Sequence, residues 1–288
     1  MKKFIVAFLI IGAAFILFGT KKGRVAKNVA LSYVISSNLV NKKGSRVIDR
    51  ILLPEGYTRK RYPEGSFSHY IQQYPLESFN AKIINYDGQE YSYQSGHVGI
   101  LTLPVPENGL QQCADALIRM RAEYLWNNDR KDEIGFNFTS GDYCSWEKYS
   151  MGYRPKVQGN EVSFSKIAAR DTSEENFYRY LNLIFMYSGT QSLYDELDPI
   201  EHIADVEVGD MLIYPGSPGH VILVADIATD ETGNKLFIFA QGNTPAQSVH
   251  LLKNPNNQGL SPWYDIVMGQ YLEIPTYYFN EVKFIRFK

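Results

Sequence analysis

Hydrophobic residues along this chain fall into three patterns: one unbroken run at the start, helical stripes, and alternating runs. Residues 4–18 are apolar or small throughout, with Lys2-Lys3 before them and Lys21-Lys22-Gly23-Arg24 after. A basic start followed by about 15 such residues rises about 22 Å as a helix, short of the roughly 30 Å hydrocarbon core. The run therefore reads as an export signal rather than a stable span. No small-x-small triplet sits cleanly after it, and no Cys follows that would take a lipid, so cleavage and an uncleaved anchor both stay open. Residues 21–45 mix Lys, Arg, Asn and Ser with little periodicity and read as a tether. The expected division is 1–20 signal or anchor, 21–45 tether, and one globular unit over 46–288.

Within that unit the helical stripes come first. Ser66 is a good N-cap for a short helix that Pro75 ends. From about 108 to 126, Leu110, Cys113, Leu117, Met120 and Tyr124 line one helical face. Thr172-Ser173-Glu174-Glu175 opens another helix, with Phe177, Tyr180, Leu181, Ile184 and Phe185 as its stripe, stopping near Gly189. Strand-like runs lie at 50–53, 82–86, 99–103 and 134–138. Three more follow at 208–214, 219–226 and 235–242, the last two joined through the turn Asp230-Glu231-Thr232-Gly233-Asn234. A helix followed by an antiparallel meander is an α+β arrangement, with an N-terminal α/β part at 46–160 and a second part at 161–288.

A formal net charge of -2 leaves no basic footprint, which excludes nucleic acid as an expected partner. There is no phosphate loop or dinucleotide glycine fingerprint. The five His are scattered, so no closed zinc site and no cofactor are expected, and the membrane is met only through the N-terminal segment. Two Cys permit one disulfide outside the cytoplasm, but Cys113 on an apolar stripe reads as a free, buried thiol. The loop after 138 carries Ser140, Asp142, Cys144, Tyr153 and Arg154, the residue types of a binding surface.

The order helix, Gly209-Asp210-Met211-Leu212-Ile213-Tyr214, Gly219-His220-Val221-Ile222-Leu223-Val224, Phe239-Ala240-Gln241 resembles the NlpC/P60 and CHAP group of papain-like cysteine amidases, which cut cell-wall peptides. Nearly the whole mature chain is also similar to a family of exported bacterial proteins of unknown function. Gln111-Gln112-Cys113-Ala114-Asp115-Ala116, Phe138-Thr139-Ser140-Gly141, Gly152-Tyr153-Arg154, Pro218-Gly219-His220 and Ser261-Pro262-Trp263-Tyr264 carry that likeness. It implies a location and no reaction. The amidase resemblance implies a helix packed on an antiparallel sheet, His220 as base and Gln241 as its orienter.

A papain-like thiol needs the first turn of a helix, where free N–H groups and the helix dipole favour the thiolate and receive the oxyanion. Counting back from Gly189 puts that position at Phe177, where there is no Cys. The expectation is therefore an exported protein that binds cell-wall peptide or glycan fragments, with catalysis lost or borne by another nucleophile such as Cys144. Trp263, Tyr264, Tyr153 and Arg154, with Ser140 and Asp142, are the candidates for stacking and polar contact. An envelope module without a small-molecule site is the alternative. One shared concave pocket for His220, Gln241 and the 140–154 loop separates the two.

Overall fold

The computed structural model describes residues 19–288. The apolar run 4–18 lies outside them. Seven helices are described: α1 (Lys21–Val34), α2 (Val47–Arg50), α3 (Phe67–Gln72), α4 (Cys113–Asn127), α5 (Trp146–Ser150), α6 (Glu174–Tyr187) and α7 (Thr190–Glu196). Ser66 and Ser173 cap α3 and α6 as their positions predict, accepting from His69 N at 3.1 Å and Asn176 N at 3.2 Å.

One antiparallel sheet organises the molecule. Its strands are β1 (Thr58–Arg59), β2 (His97–Ile100), β7 (Pro199–Ile200), β8 (Met211–Tyr214), β9 (His220–Thr229), β10 (Lys235–Gln241), β11 (His250–Leu252), β12 (Tyr264–Asp265) and β15 (Phe284–Ile285). The main order is β2-β11-β10-β9-β8-β15-β7, with β1 pairing with β9 and β12 with β10. Mixed helix and antiparallel sheet makes the chain α+β. Three two-stranded ribbons stand outside this sheet: β3 (Gly135–Asn137) with β4 (Tyr143–Ser145), β5 (Tyr153–Gln158) with β6 (Glu161–Lys166), and β13 (Leu272–Glu273) with β14 (Tyr278–Phe279).

The longest strand, β9, is buried on both faces except at its last residue, which is why its sequence is an apolar run rather than an alternation. α4 packs directly on β9, while α6 packs on α4 and α5. The short helices α2 and α3 also meet β9, and α7 meets β8, so the long helix on the sheet, α4, is not the helix that precedes β8 and β9 most closely in sequence.

Three segments depart from the expected outline, the first being 82–86, where Ile84 and Asn85 make isolated bridges to Glu90 and Gln247 instead of a strand. Residues 50–53 form no strand: Val47–Arg50 is a helical turn, and Arg50 is buried with its guanidinium on the carbonyls of Gly44, Val98 and Glu77. Residues 21–34, read as tether, are the docked helix α1. Arg24 and Lys27 reach the buried Glu273 at 3.0 and 2.7 Å, and Ser32 meets the Tyr93 hydroxyl. Its buried positions Gly23, Asn28 and Ser32 are small or polar, so no apolar stripe marks it.

Candidate active site at the start of helix α4

α4 begins at Cys113 because Gln112 and Asp115 close its first turn. Asp115 Oδ2 accepts from Gln112 N at 2.9 Å, and Ala116 N donates to Gln112 O at 3.1 Å. Gly242, just past β10, fits against this turn. A Cβ there would stand 3.0 Å from Gln112 O and 3.1 Å from Ala116 Cβ, so glycine lets the strand end approach the helix start. The Cys113 thiol is 8 % exposed. Burial and then the Asp115 charge push it up to about 11, against the pull of the Ala114 and Val221 amides.

His220 opens β9 directly after Gly219, where a Cβ would lie 2.2 Å from Thr190 Oγ1 and 2.5 Å from Gly216 O. The imidazole is 4 % exposed and burial lowers its pKa to about 4, so it is neutral at pH 7. Its Nε2 lies 2.8 Å from Gln241 Oε1. The strand register explains the meeting. Ala240 pairs with Leu223, so Gln241 falls opposite Ile222, two residues from His220 and on the same face. The rings of Tyr277 and Phe279 cover the pair, with centroids 4.8 and 5.8 Å from the imidazole. Gln241 Nε2 continues to Thr276 Oγ1 at 3.1 Å and His250 Nε2 at 3.2 Å.

Cys113, Asp115, Thr190, His220 and Tyr277 line one cleft of about 500 Å³, with Gln241 fully buried beneath it. A larger groove of about 990 Å³ runs along residues 77–107 to Ser248, and no Cys or His lines it. The smaller cleft is the one that brings a Cys and a His together. Asp115 Oδ1 is buried there without a hydrogen-bond partner, and burial raises that carboxyl to about 7.

The other predicted site residues lie elsewhere. Phe177 belongs to α6, buried and stacked on Trp126 at 4.3 Å, far from the role of a helix start facing the sheet. The first-turn position is Cys113 instead. Cys144 sits in β4, buried, raised to about 12 by burial, and outside the cleft lining. Both thiols are free. Ser140 donates to Asp142 at 2.9 Å on the exposed β3–β4 tip. Arg154 donates to the carbonyls of Tyr149 and Tyr153 and covers the Tyr149 ring at 3.6 Å. The 140–154 loop thus shares no pocket with His220.

Trp263 and Tyr264 correct a further expectation. Both are buried, with Trp263 Nε1 donating to Leu52 O at 2.8 Å and the Tyr264 hydroxyl to Lys253 O at 2.7 Å. Neither ring has a face left for a ligand to stack on. The motif Asp210 is likewise structural, held by the Arg286 guanidinium at 2.7 and 2.8 Å. Sequence reasoning missed Cys113, Tyr277 and His250 as members of the site. The available signal was Gln-Gln-Cys ahead of a long apolar helix; placing the helix start at 108 instead of 113 concealed it.

Among the described residues no group of three or more His, Cys, Asp or Glu is arranged to hold a metal ion, and no helix is long and apolar enough to cross a membrane. A family model described as a domain of unknown function (4846) matches residues 47–286. No curated protein and no solved structure matches the chain.

Proposed function

We propose, for a chain that belongs to the family described as a domain of unknown function (4846), that the α4 cleft is the active site of a papain-like, thiol-dependent amidase or peptidase. The observation that carries this is Cys113 at the first residue of α4, in one cleft with a His220 held by Gln241 at 2.8 Å. These are the relations of nucleophile, base and orienter. With the thiol protonated and the imidazole neutral at pH 7, His220 takes the thiol proton as sulfur attacks an amide carbonyl carbon. First-turn N–H groups of α4, which have no intrahelical partners, receive the oxyanion. Collapse breaks the C–N bond, and the amine leaves with the proton from His220. Water then cleaves the thioester, His220 taking its proton and returning it to the sulfur.

Cell-wall peptides are the proposed substrate class, and the proposed location is outside the cytoplasm, on the basis of the basic start and apolar run 4–18. A second reading is favoured by a thiol that is 8 % exposed with its pKa near 11: a cleft that retains peptide or glycan fragments without cutting them. One experiment separates the two. Purified protein is incubated with muropeptides and with mixed glycans, and products and the intact protein mass are read by mass spectrometry. Cleavage abolished by Cys113→Ser supports the amidase; retention without cleavage, unchanged in Cys113→Ser, overturns it.

A further inference from the structure

The hydrogen bonds beyond Gln241 determine which nitrogen of His220 carries its proton. We infer that His250 is a positioning residue of this site: it fixes the Gln241 amide and, through it, the tautomer of His220, leaving His220 Nδ1 as the unprotonated nitrogen. Its catalytic consequence rests on the amidase reading, whereas the tautomer itself does not.

The chain of donors and acceptors has one consistent solution. His250 Nδ1 lies 2.9 Å from the Ser248 carbonyl oxygen, which only accepts, so Nδ1 bears the proton. A neutral imidazole has one, so His250 Nε2 is an acceptor. Gln241 lies directly across the β10–β11 pair from His250 and donates one amide hydrogen to Nε2 at 3.2 Å and the other to Thr276 Oγ1 at 3.1 Å. Both amide hydrogens are thereby engaged, and Gln241 Oε1 is left to accept from His220 Nε2 at 2.8 Å. His220 therefore carries its single proton on Nε2, and Nδ1 is free to act as base.

Flipping the Gln241 amide reverses every pairing. Its oxygen would face the lone pair of His250 Nε2, and its NH2 would favour the opposite tautomer of His220, with Nε2 bare and Nδ1 protonated. At Gln241, fully buried, the mispaired groups have no solvent to turn to, which makes the wrong orientation costly. Burial also keeps both imidazoles neutral at pH 7, each lowered to about 4, as single-proton tautomers require. His250 alternates with apolar neighbours in β11 and would otherwise pass for a packing residue.

The test uses the full chain labelled with 15N-histidine, the His220 signals being assigned by their loss in His220→Ala. The 15N shifts of the two ring nitrogens distinguish the tautomers. Expected is the Nε2–H form at His220 and the Nδ1–H form at His250. In His250→Phe, which keeps a ring but removes the acceptor, His220 is expected to lose its pure Nε2–H signature. Where cleavage of muropeptides is measured, kcat is expected to fall roughly tenfold or more with KM within about twofold. His250→Gln, which retains an acceptor, is expected to restore both. An Nδ1–H tautomer at His220 in the wild type, or an unchanged one in His250→Phe, overturns the inference whether or not the protein cleaves anything. The expected tautomers in a protein that forms no product leave the inference standing and overturn the amidase reading.

Discussion

Single side chains decide how the cleft behaves, and the sequence disclosed His220 and Gln241 but not their partner. Gly219-His220 and Phe239-Ala240-Gln241 are short local texts whose strand register brings them together. Cys113 escaped because burial on an apolar stripe and position at a helix start look alike in one dimension. Its state is testable: under denaturing, non-reducing conditions a maleimide should label both Cys113 and Cys144, whereas labelling only after reductant would establish a bridge that the structure lacks. A second prediction concerns His97, whose Nδ1 is buried without a partner. Burial first, then His250, Lys82, Arg50 and Lys253, lower its pKa to about 3. The unfolded chain takes up a proton near pH 6.5 that the folded chain refuses until about pH 3. The stability this His contributes is therefore complete above pH 6.5 and is lost on acidification, at up to about 1.4 kcal/mol per pH unit. His97→Phe should flatten the fall in denaturation midpoint between pH 6.5 and 4; an unchanged slope would sink the assignment.

At the scale of elements, capping chemistry and periodicity were legible where they are local. Ser66 and Ser173 cap the helices they were expected to cap; β8 and β10 fall within the apolar runs that announced them, and β9 starts in its run but continues three residues past 226 to Thr229. The docked helix α1 was not legible, because polar contacts rather than an apolar stripe hold it. Burial opposes the charge on Glu273, but its hydrogen bonds to Lys27 and Arg24 prevail and keep this carboxylate below the usual range. Glu273→Gln keeps the side-chain shape and removes the charge that both cations share. Amide exchange over residues 21–34 should accelerate in that variant while β9 and β10 stay protected. Equal acceleration in the sheet would mean that α1 is a structural part of the core rather than a docked element.

For the whole molecule, the order of elements in the chain misleads about their order in space. Residues 135–196, with two ribbons and helices α5, α6 and α7, separate α4 from the strands on which it packs. Counting back from Gly189 therefore ran along α6 and assigned the nucleophile position to Phe177. Closure of the sheet is equally non-local, since β15 enters it between β8 and β7 from the end of the chain. Arg286, directly after β15, grips the buried Asp210 carboxylate, whose pKa burial raises although Arg286 pulls it down. Arg286→Ala should leave that carboxylate with a backbone N–H partner from Glu207 and cost about 1–3 kcal/mol, discounted because the guanidinium is half exposed. The sign with pH follows from linkage. A folded-state pKa above the unfolded 3.8 means that the folded chain keeps a proton the unfolded chain has released, so stability falls as pH rises through that window. Losing Arg286 raises the folded pKa further and widens the window. Urea denaturation should therefore show a larger deficit for Arg286→Ala at pH 7 than at pH 4, and a second change, Asp210→Asn, should recover part of it at pH 7. Equal deficits at the two pH values would show that Arg286 acts through packing alone, leaving the Gly209-Asp210 turn without the charge pairing assigned to it.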